Sequence, residues 1–297
     1  MSKTMTRLLR AALLLLAPVL AACDKNVHAD IEFGLAVGME WSHGTEPVEM
    51  SGPVNIWIYD DNGDEVVSRR YASPQELAAG TFSLPAGNYT VVGTCGLDEP
   101  YLYGYEDGKA RADALRISLA DPSASPRHAI GGVASASITG AEANVRTIVA
   151  VAPLLSELSV TIGGTPEGAT LSATAVNTAT AIYPARTNDG GSGITPSAAK
   201  TAANLPAATS EGGAIQTTAR LMPTAQGEAS TVLGMTITLA DATCLEFTVE
   251  APAMLTGKRY ELTLEYAEIK PYMYIKSTTI NDWTEGWSTS EDIYNPG

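Results

Sequence analysis

Cys23 is the residue of this chain best placed for covalent chemistry. It directly follows Leu20-Ala21-Ala22, small residues ahead of a thiol in the pattern of a bacterial lipobox. The chemistry expected of that pattern is alkylation of the thiol by diacylglycerol, cleavage of the chain just ahead of it, and acylation of the new amine. At about 0.8 kcal/mol per buried CH₂ one acyl chain holds a protein only marginally, and several hold it stably. Other candidates are sparse. His28, His43 and His128 are not spaced with a second His or an acid as a zinc helix requires, and read as loop or surface residues. Asp60, Asn62 and Asp64 begin like a calcium loop, but Glu65 stands where glycine is needed and Tyr71 where the closing glutamate is needed. They read as a solvated turn. Gly131-Gly132 and Gly163-Gly164 lack the surroundings of a phosphate loop, and no G-x-S-x-G elbow occurs. No catalytic residue, cofactor or metal site is therefore expected.

Two further groups could bind without reacting. Tyr101, Tyr103 and Tyr105 alternate in Tyr-Leu-Tyr-Gly-Tyr, so an extended chain puts three rings on one face. They read either as a sugar-stacking platform or as aromatic cover for a sheet edge. Trp41, Trp57, Trp283 and Trp287 are open to the same two readings. Cys95 and Cys244 lack the paired spacing of a redox or metal site and are expected to be buried free thiols in different domains.

Ahead of Cys23 lies a leader with Lys3, Arg7 and Arg10 in front of an apolar run from Ala11 to Leu20. That run suits a signal peptide, whose apolar region needs roughly 7 to 15 residues, and is short of the about 20 that span a bilayer. Residues 1–22 are expected to be removed, and no second run of spanning length follows. Losing the leader's three basic residues takes the formal net charge from -15 to -18. Nucleic acid is an improbable partner for such a chain, because phosphate recognition needs a positive footprint. With 297 residues, 45% of them hydrophobic and 17% charged, the chain can bury a core in one or two domains at roughly 100 to 200 residues each.

The elements that must position these residues read as strands. Val54 to Tyr59 alternates, with Val54, Ile56 and Ile58 on one face, and Asp60-Asp61-Asn62-Gly63 offers an Asn-Gly hairpin turn before Glu65 to Val67. Ser73-Pro74-Gln75-Glu76 has the form of a capping box opening a short helical turn. Strands are predicted over 81–84, 88–94 and 115–119, from Val145 through Ile162, over 231–239, 244–249 and 259–266, and at 272–275. The stretch 163–230 is weakly patterned, with Asn188 to Gly193 its clearest loop. The result is an all-β expectation: two tandem β-sandwiches, residues 23–150 and 151–297.

Taken in order, the lipobox, Val-Asn-Ile-Trp-Ile-Tyr-Asp-Asp-Asn-Gly at 54–63, Leu-Pro-Ala-Gly-Asn-Tyr-Thr-Val-Val at 84–92, the strand pair around 145–162 and Ile-Asn-Asp-Trp-Thr-Glu-Gly-Trp at 280–287 resemble the Bacteroidales fimbrial anchor lipoproteins of the FimB type. The fimbrillin-like subunits are similar more loosely. The resemblance implies transthyretin-like sandwiches, a palmitate-type lipid on Cys23 in the outer membrane, and a place at the base of a surface fimbria. Its implied partners are fimbrial stalk subunits joined by strand addition, in which a donated strand satisfies the open edge of a neighbour's sheet. In the fimbrillin-like stalk subunits a protease cuts after an Arg to open that groove. Here no Arg lies between Cys23 and Arg69, and Lys25 would serve only a protease of different preference. A cut at Arg69 or Arg70 would remove the Val54 to Tyr59 strand, and the polar Ser288 to Gly297 tail is short for a donor strand. The expectation is a non-enzymatic, lipid-anchored subunit that ends a fibre. The alternative is a surface lipoprotein binding glycans or host ligands.

Overall fold

The computed structural model describes residues 31–42, 50–98, 100–186, 194–267 and 272–282. The strands of the first half are β1 (Phe33–Trp41), β2 (Val54–Tyr59), β3 (Glu65–Tyr71), β4 (Phe82–Leu84), β5 (Gly87–Cys95), β6 (Tyr101–Tyr105), β7 (Leu115–Leu119), β8 (Ile130–Ile138) and β9 (Asn144–Pro153). One short helix, α1 (Pro74–Ala78), sits between β3 and β4. Its cap is a shifted version of the box: the Ser73 hydroxyl accepts the Glu76 N–H at 3.2 Å, and the Glu76 carboxylate accepts the N–H of Ala72, one residue ahead of the cap, at 2.6 Å.

Seven of these strands run in the order β3-β2-β5-β8-β9-β1-β4. Between β8 and β9 the pairing shrinks to Ile130 with Pro153 and Gly131 with Ala152, and there the sheet turns a corner. The arms on either side close over one core, in which Leu35 and Val37 of β1, Val54, Ile56 and Ile58 of β2, and Val149 and Val151 of β9 are buried. β1 is central to its arm, parallel to β9 over eight residue pairs and antiparallel to β4.

The second half holds β10 (Ser156–Gly163), β11 (Thr170–Ala179), β12 (Ala181–Tyr183), β13 (Thr195–Pro196), β14 (Lys200–Asn204), β15 (Ala208–Thr209), β16 (Ala214–Leu221), β17 (Ser230–Thr238), β18 (Cys244–Pro252), β19 (Lys258–Ala267) and β20 (Tyr272–Asp282). One sheet runs β16-β10-β19-β20 and the other β14-β11-β17-β18, with β15 on β11. Leu158, Val160, Leu171, Leu233, Ile237 and Leu262 fill the core between them. As in the first half, an early strand, β10, lies parallel to a late one, β19. The all-β architecture of two sandwiches read from the strand pattern is the architecture observed.

A third element joins the halves. The sheet β13-β12-β7-β6 takes two strands from each, β7 pairing with β12 through Ile117 and Ile182. Under it lies a separate buried cluster containing Trp57, Tyr59, Tyr101, Leu115, Ile117, Leu154, Leu155, Ile182 and Met222. The connector between β9 and β10 is thus buried, Leu154 being 0% and Leu155 1% exposed. Beside it, a strap at residues 123–125 accepts the Asn204 N–H on the Ser123 carbonyl at 2.8 Å and the Arg220 N–H on the Ser125 hydroxyl at 2.9 Å.

Several local readings need correction. Both faces of the Val54 to Tyr59 alternation are buried, because Trp57 and Tyr59 serve the third cluster while the isoleucines serve the first. The hairpin turn is not the two-residue Asn-Gly form, which needs positive φ at both positions. Only Gly63 is left-handed (φ 79°), and Asp60 closes a wider loop, accepting the Asn62 and Asp64 N–H groups at 2.8 and 3.0 Å. A strand, β1, precedes Val54 to Tyr59. The predicted strands 81–84 and 88–94 are not neighbours: β4 pairs with β1, whereas β5 pairs with β2 and β8.

Candidate functional site: open sheet edges and an aromatic edge strand

A sheet that accepts a strand needs an edge whose N–H and C=O groups have no neighbour. Among the described residues four strands of seven residues or more are terminal in their sheets, β3, β16, β18 and β20, and the Ser125 hydroxyl covers part of β16 at the Arg220 N–H. β3 is terminal in its sheet and pairs only with β2. Among the described residues its outer side also takes a backbone hydrogen bond near its start, where the Glu65 N–H donates to the Ala110 carbonyl at 2.8 Å. β18 is terminal in the second sandwich and pairs along nine residues with β17 alone. Its inward positions change from buried Val249 and Ala251 to half-buried Phe247 and Leu245. Leu239 and Tyr266, also half-buried, pack on the same core, so this sandwich is less completely covered toward that end.

Asp64 and Arg111 frame the start of β3, with Arg111 Nη1 3.0 Å from the Asp64 carboxylate. The Asp60, Asn62, Asp64 group is therefore a hydrogen-bonded turn with an ion pair, and no cluster of His, Cys, Asp and Glu suited to a metal occurs among the described residues. Beneath β3, the Tyr59 and Tyr105 hydroxyls lie 3.0 Å apart and Tyr105 donates to the Glu65 carboxylate. Burial is the main cause that pushes both phenol pKa values well up, so neither ionises in ordinary conditions.

The tyrosine alternation is borne out in backbone terms, but the three rings do different things. Tyr101 is buried and its hydroxyl donates to the Arg127 carbonyl, Tyr105 joins the network just described, and Tyr103 is 44% exposed, edge-on to Trp57 at 5.4 Å and 76°. Two rings are structural cover and one is open. Trp41 lies half-buried on β1, packed on the first core. Cys95 is a buried free thiol with its pKa pushed up by burial. Cys244 is free but exposed, contrary to expectation, since it opens β18 on the solvent side. His128 is half-buried and burial lowers its pKa, whereas His28 and His43 fall outside the described residues. So do Cys23, the 188–193 loop, Trp283, Trp287 and the Ser288 to Gly297 tail.

The seam between the halves carries a polar constellation that sequence spacing could not reveal. Glu106, just after β6, accepts from the Tyr183 hydroxyl at 2.9 Å and from the Arg186 guanidinium, which lies 3.4 Å above the Tyr183 ring. The Arg186 hydrogen bond, then that of Tyr183, holds the Glu106 carboxyl below the usual glutamate range. Across the second half, buried Glu157 sits between Arg259 at 2.8 Å and Arg220 at 3.5 Å.

Known proteins bear on this arrangement at two levels. No curated protein matches the chain in sequence. The fimbrial anchor protein Mfa2 from Porphyromonas gingivalis is 12% identical, with 85% of this chain and 98% of that one covered at a TM-score of 0.57. A Bacteroides thetaiotaomicron protein put forward as polysaccharide-binding is 12% identical, covering 89% and 99%, at 0.58. A fimbrial assembly protein from Parabacteroides distasonis is 10% identical, covering 88% and 98%, at 0.50. At such identities the likeness is one of fold. Residues 39–289, most of the chain, match the family model for fimbrillin-A associated anchor proteins Mfa1 and Mfa2, and this chain belongs to that family of fimbrial, cell-surface proteins.

Proposed function

We propose that this protein is the lipid-tethered subunit that holds a fimbria on the outer membrane and ends it. On this reading residues 1–22 are removed, acyl chains on Cys23 are the membrane anchor, and fimbrial stalk subunits are the partner. That partner joins by strand addition at an open edge, with β3, β18 and β20 the candidates among the described strands. The observation that carries the reading is the place of β1. In a stalk-type mechanism the first strand leaves after a cut behind an Arg. Here the first Arg residues after Cys23 are Arg69 and Arg70, both inside β3 and in register with Ile56 and Asn55 of β2. A cut there would take away β1, which supplies Leu35 and Val37 to the core and joins β9 to β4. The sandwich would lose a central strand instead of gaining a groove. A subunit that keeps β1 and its tether terminates a fibre and does not extend it.

The chain divides, on the same reading, into the two sandwich domains expected as 23–150 and 151–297, with the junction set at Leu154–Leu155, because β9 runs to Pro153 and carries Val151 into the first core. Their separate cores support the division, and the mixed sheet and buried connector hold the two as one body. The role is structural, without chemistry on a substrate. Electron microscopy of a deletion strain tests it: fimbriae should be longer, or shed into the medium, and still present. Unchanged length and attachment would refute the terminating role.

A further inference from the structure

Between β2, β3 and the overlying β6 lies a cavity of about 100 Å³. The register of β2 with β3, Asn55 opposite Arg70 and Trp57 opposite Ser68, puts these four side chains on one face, and Tyr103 reaches over them from β6. Asn55 is 2% exposed, yet its Nδ2 has no hydrogen-bond partner. Opposite it on β5, the buried Thr94 hydroxyl has none either. An unmade hydrogen bond on a buried polar group costs about 1–3 kcal/mol, so two side by side call for an explanation beyond packing.

The rest of the lining narrows the chemistry. Arg70 Nη2 donates to the Asp98 carboxylate at 2.7 Å, which balances its charge, and the guanidinium also hydrogen-bonds the Tyr103 hydroxyl, which leaves its other N–H groups to donate. Ser68 gives its proton to Glu65 at 2.8 Å and so presents lone pairs. Arg69 turns to the other face, its guanidinium 5.1 Å from the Phe82 ring centroid, and adds no charge here. Donors and acceptors are thus mixed and near electrical balance, against an aromatic wall whose outer member, Tyr103, is open to solvent. A carboxylate or phosphate would leave the acceptors unmatched. Sugar hydroxyls both donate and accept, and the C–H face of a pyranose suits an aromatic ring. At roughly 30 Å³ per water the cavity holds about three waters, which corresponds to one edge of a single ring and not to a chain of them.

We infer that this pocket binds one terminal, neutral hexopyranose of a glycan, with Tyr103 as its stacking face and Asn55 and Arg70 as its hydrogen-bond donors. The site is independent of the tether and of β18, and on β3 it uses side chains of one sheet face, whereas strand addition uses the backbone edge, so an anchoring subunit can carry it as an adhesive contact. The test uses the full chain in detergent, titrated with the methyl glycosides of mannose, galactose and glucose and with glucuronic acid. Binding is read by saturation-transfer NMR and calorimetry. At least one methyl hexoside should bind saturably in the millimolar range, roughly tenfold more weakly in Tyr103→Ala and in Arg70→Gln. Tyr103→Phe should retain binding, and Leu102→Ala, on the opposite face of β6, should match the wild type. The inference is overturned if the folded wild type binds none of the three hexosides. It also fails if Tyr103→Ala binds them unchanged, or if glucuronic acid binds more tightly than every hexoside. None of these failures touches the anchoring role.

Discussion

Two glycines next to the first sandwich's corner and edge give a test of what holds that sandwich closed. A Cβ on Gly132 would lie 1.9 Å from the Ala150 carbonyl oxygen, and a Cβ on Gly34 would lie 2.1 Å from Asn144 Oδ1. Neither glycine has a left-handed φ, so alanine is conformationally acceptable at both. The distances are nearly equal, but the obstacles differ. Asn144 is exposed and can swing its amide away, after which the nearest backbone atom, the Ala143 oxygen, is 3.6 Å off. Ala150 O belongs to the backbone of β9 and cannot turn aside. Reaching an ordinary C···O contact of about 3.3 Å means separating β8 from β9 by about 1.4 Å. The two short pairings that make the corner would not survive that shift. Overpacking of this kind costs roughly 1–3 kcal/mol and each lost hydrogen bond about 1, against a gain of about 0.4–1 from a stiffer unfolded chain. Gly132→Ala should therefore lose about 2–4 kcal/mol and roughly 5–10 °C of melting temperature, while Gly34→Ala should stay within about 1 kcal/mol of wild type. Thermal and urea denaturation of the two variants, with Gly104→Ala as an unobstructed control, decide it. Equal losses in both variants would refute a corner held by backbone contact.

Cys23→Ala should release the protein from the outer membrane, and fractionation that still finds it fully in the pellet would overturn the lipid tether. Acid should loosen the seam between the halves. Because the folded Glu106 carboxyl is held low by Arg186, its contribution is present above the ordinary glutamate range and lost as pH falls through the lowered folded value. The pair is partly exposed, so the effect should stay below about 1 kcal/mol. A pH series of urea midpoints should show it in wild type and lack it in Glu106→Gln; identical profiles would remove Glu106 from the seam.

Period-two reading worked where large and polar residues alternate, as in Val54 to Tyr59, Leu115 to Leu119 and the strands after 230. It failed where hydropathic contrast is low. β1 reads Phe-Gly-Leu-Ala-Val-Gly-Met-Glu-Trp, in which glycines at 34 and 38 blur the alternation. β11 and β14 are built of Ala, Thr, Ser and Asn, whose small inward residues look like their outward ones. The exposure of Cys244 was legible in principle, since Leu245, Phe247 and Val249 claim the inward positions of β18. The polar groups at the pocket and the seam were not. Asn55 opposite Arg70 on one face, or Glu106 beside Arg186, depends on pairings between segments that carry no local signal.

With a tether at Cys23, ten residues ahead of β1, the drag of flowing liquid on a fibre would enter the body through that strand. β1 lies parallel to β9 over eight residue pairs, so a pull directed along it loads their hydrogen bonds together, in shear, instead of peeling them apart one by one. Strands held that way yield at higher force than unzipping ones. The next resistance downstream is the buried Leu154–Leu155 connector, which passes tension from one sandwich to the other without a free hinge. Such a body would behave under load as a rigid link that passes the pull on the fibre straight to the tether.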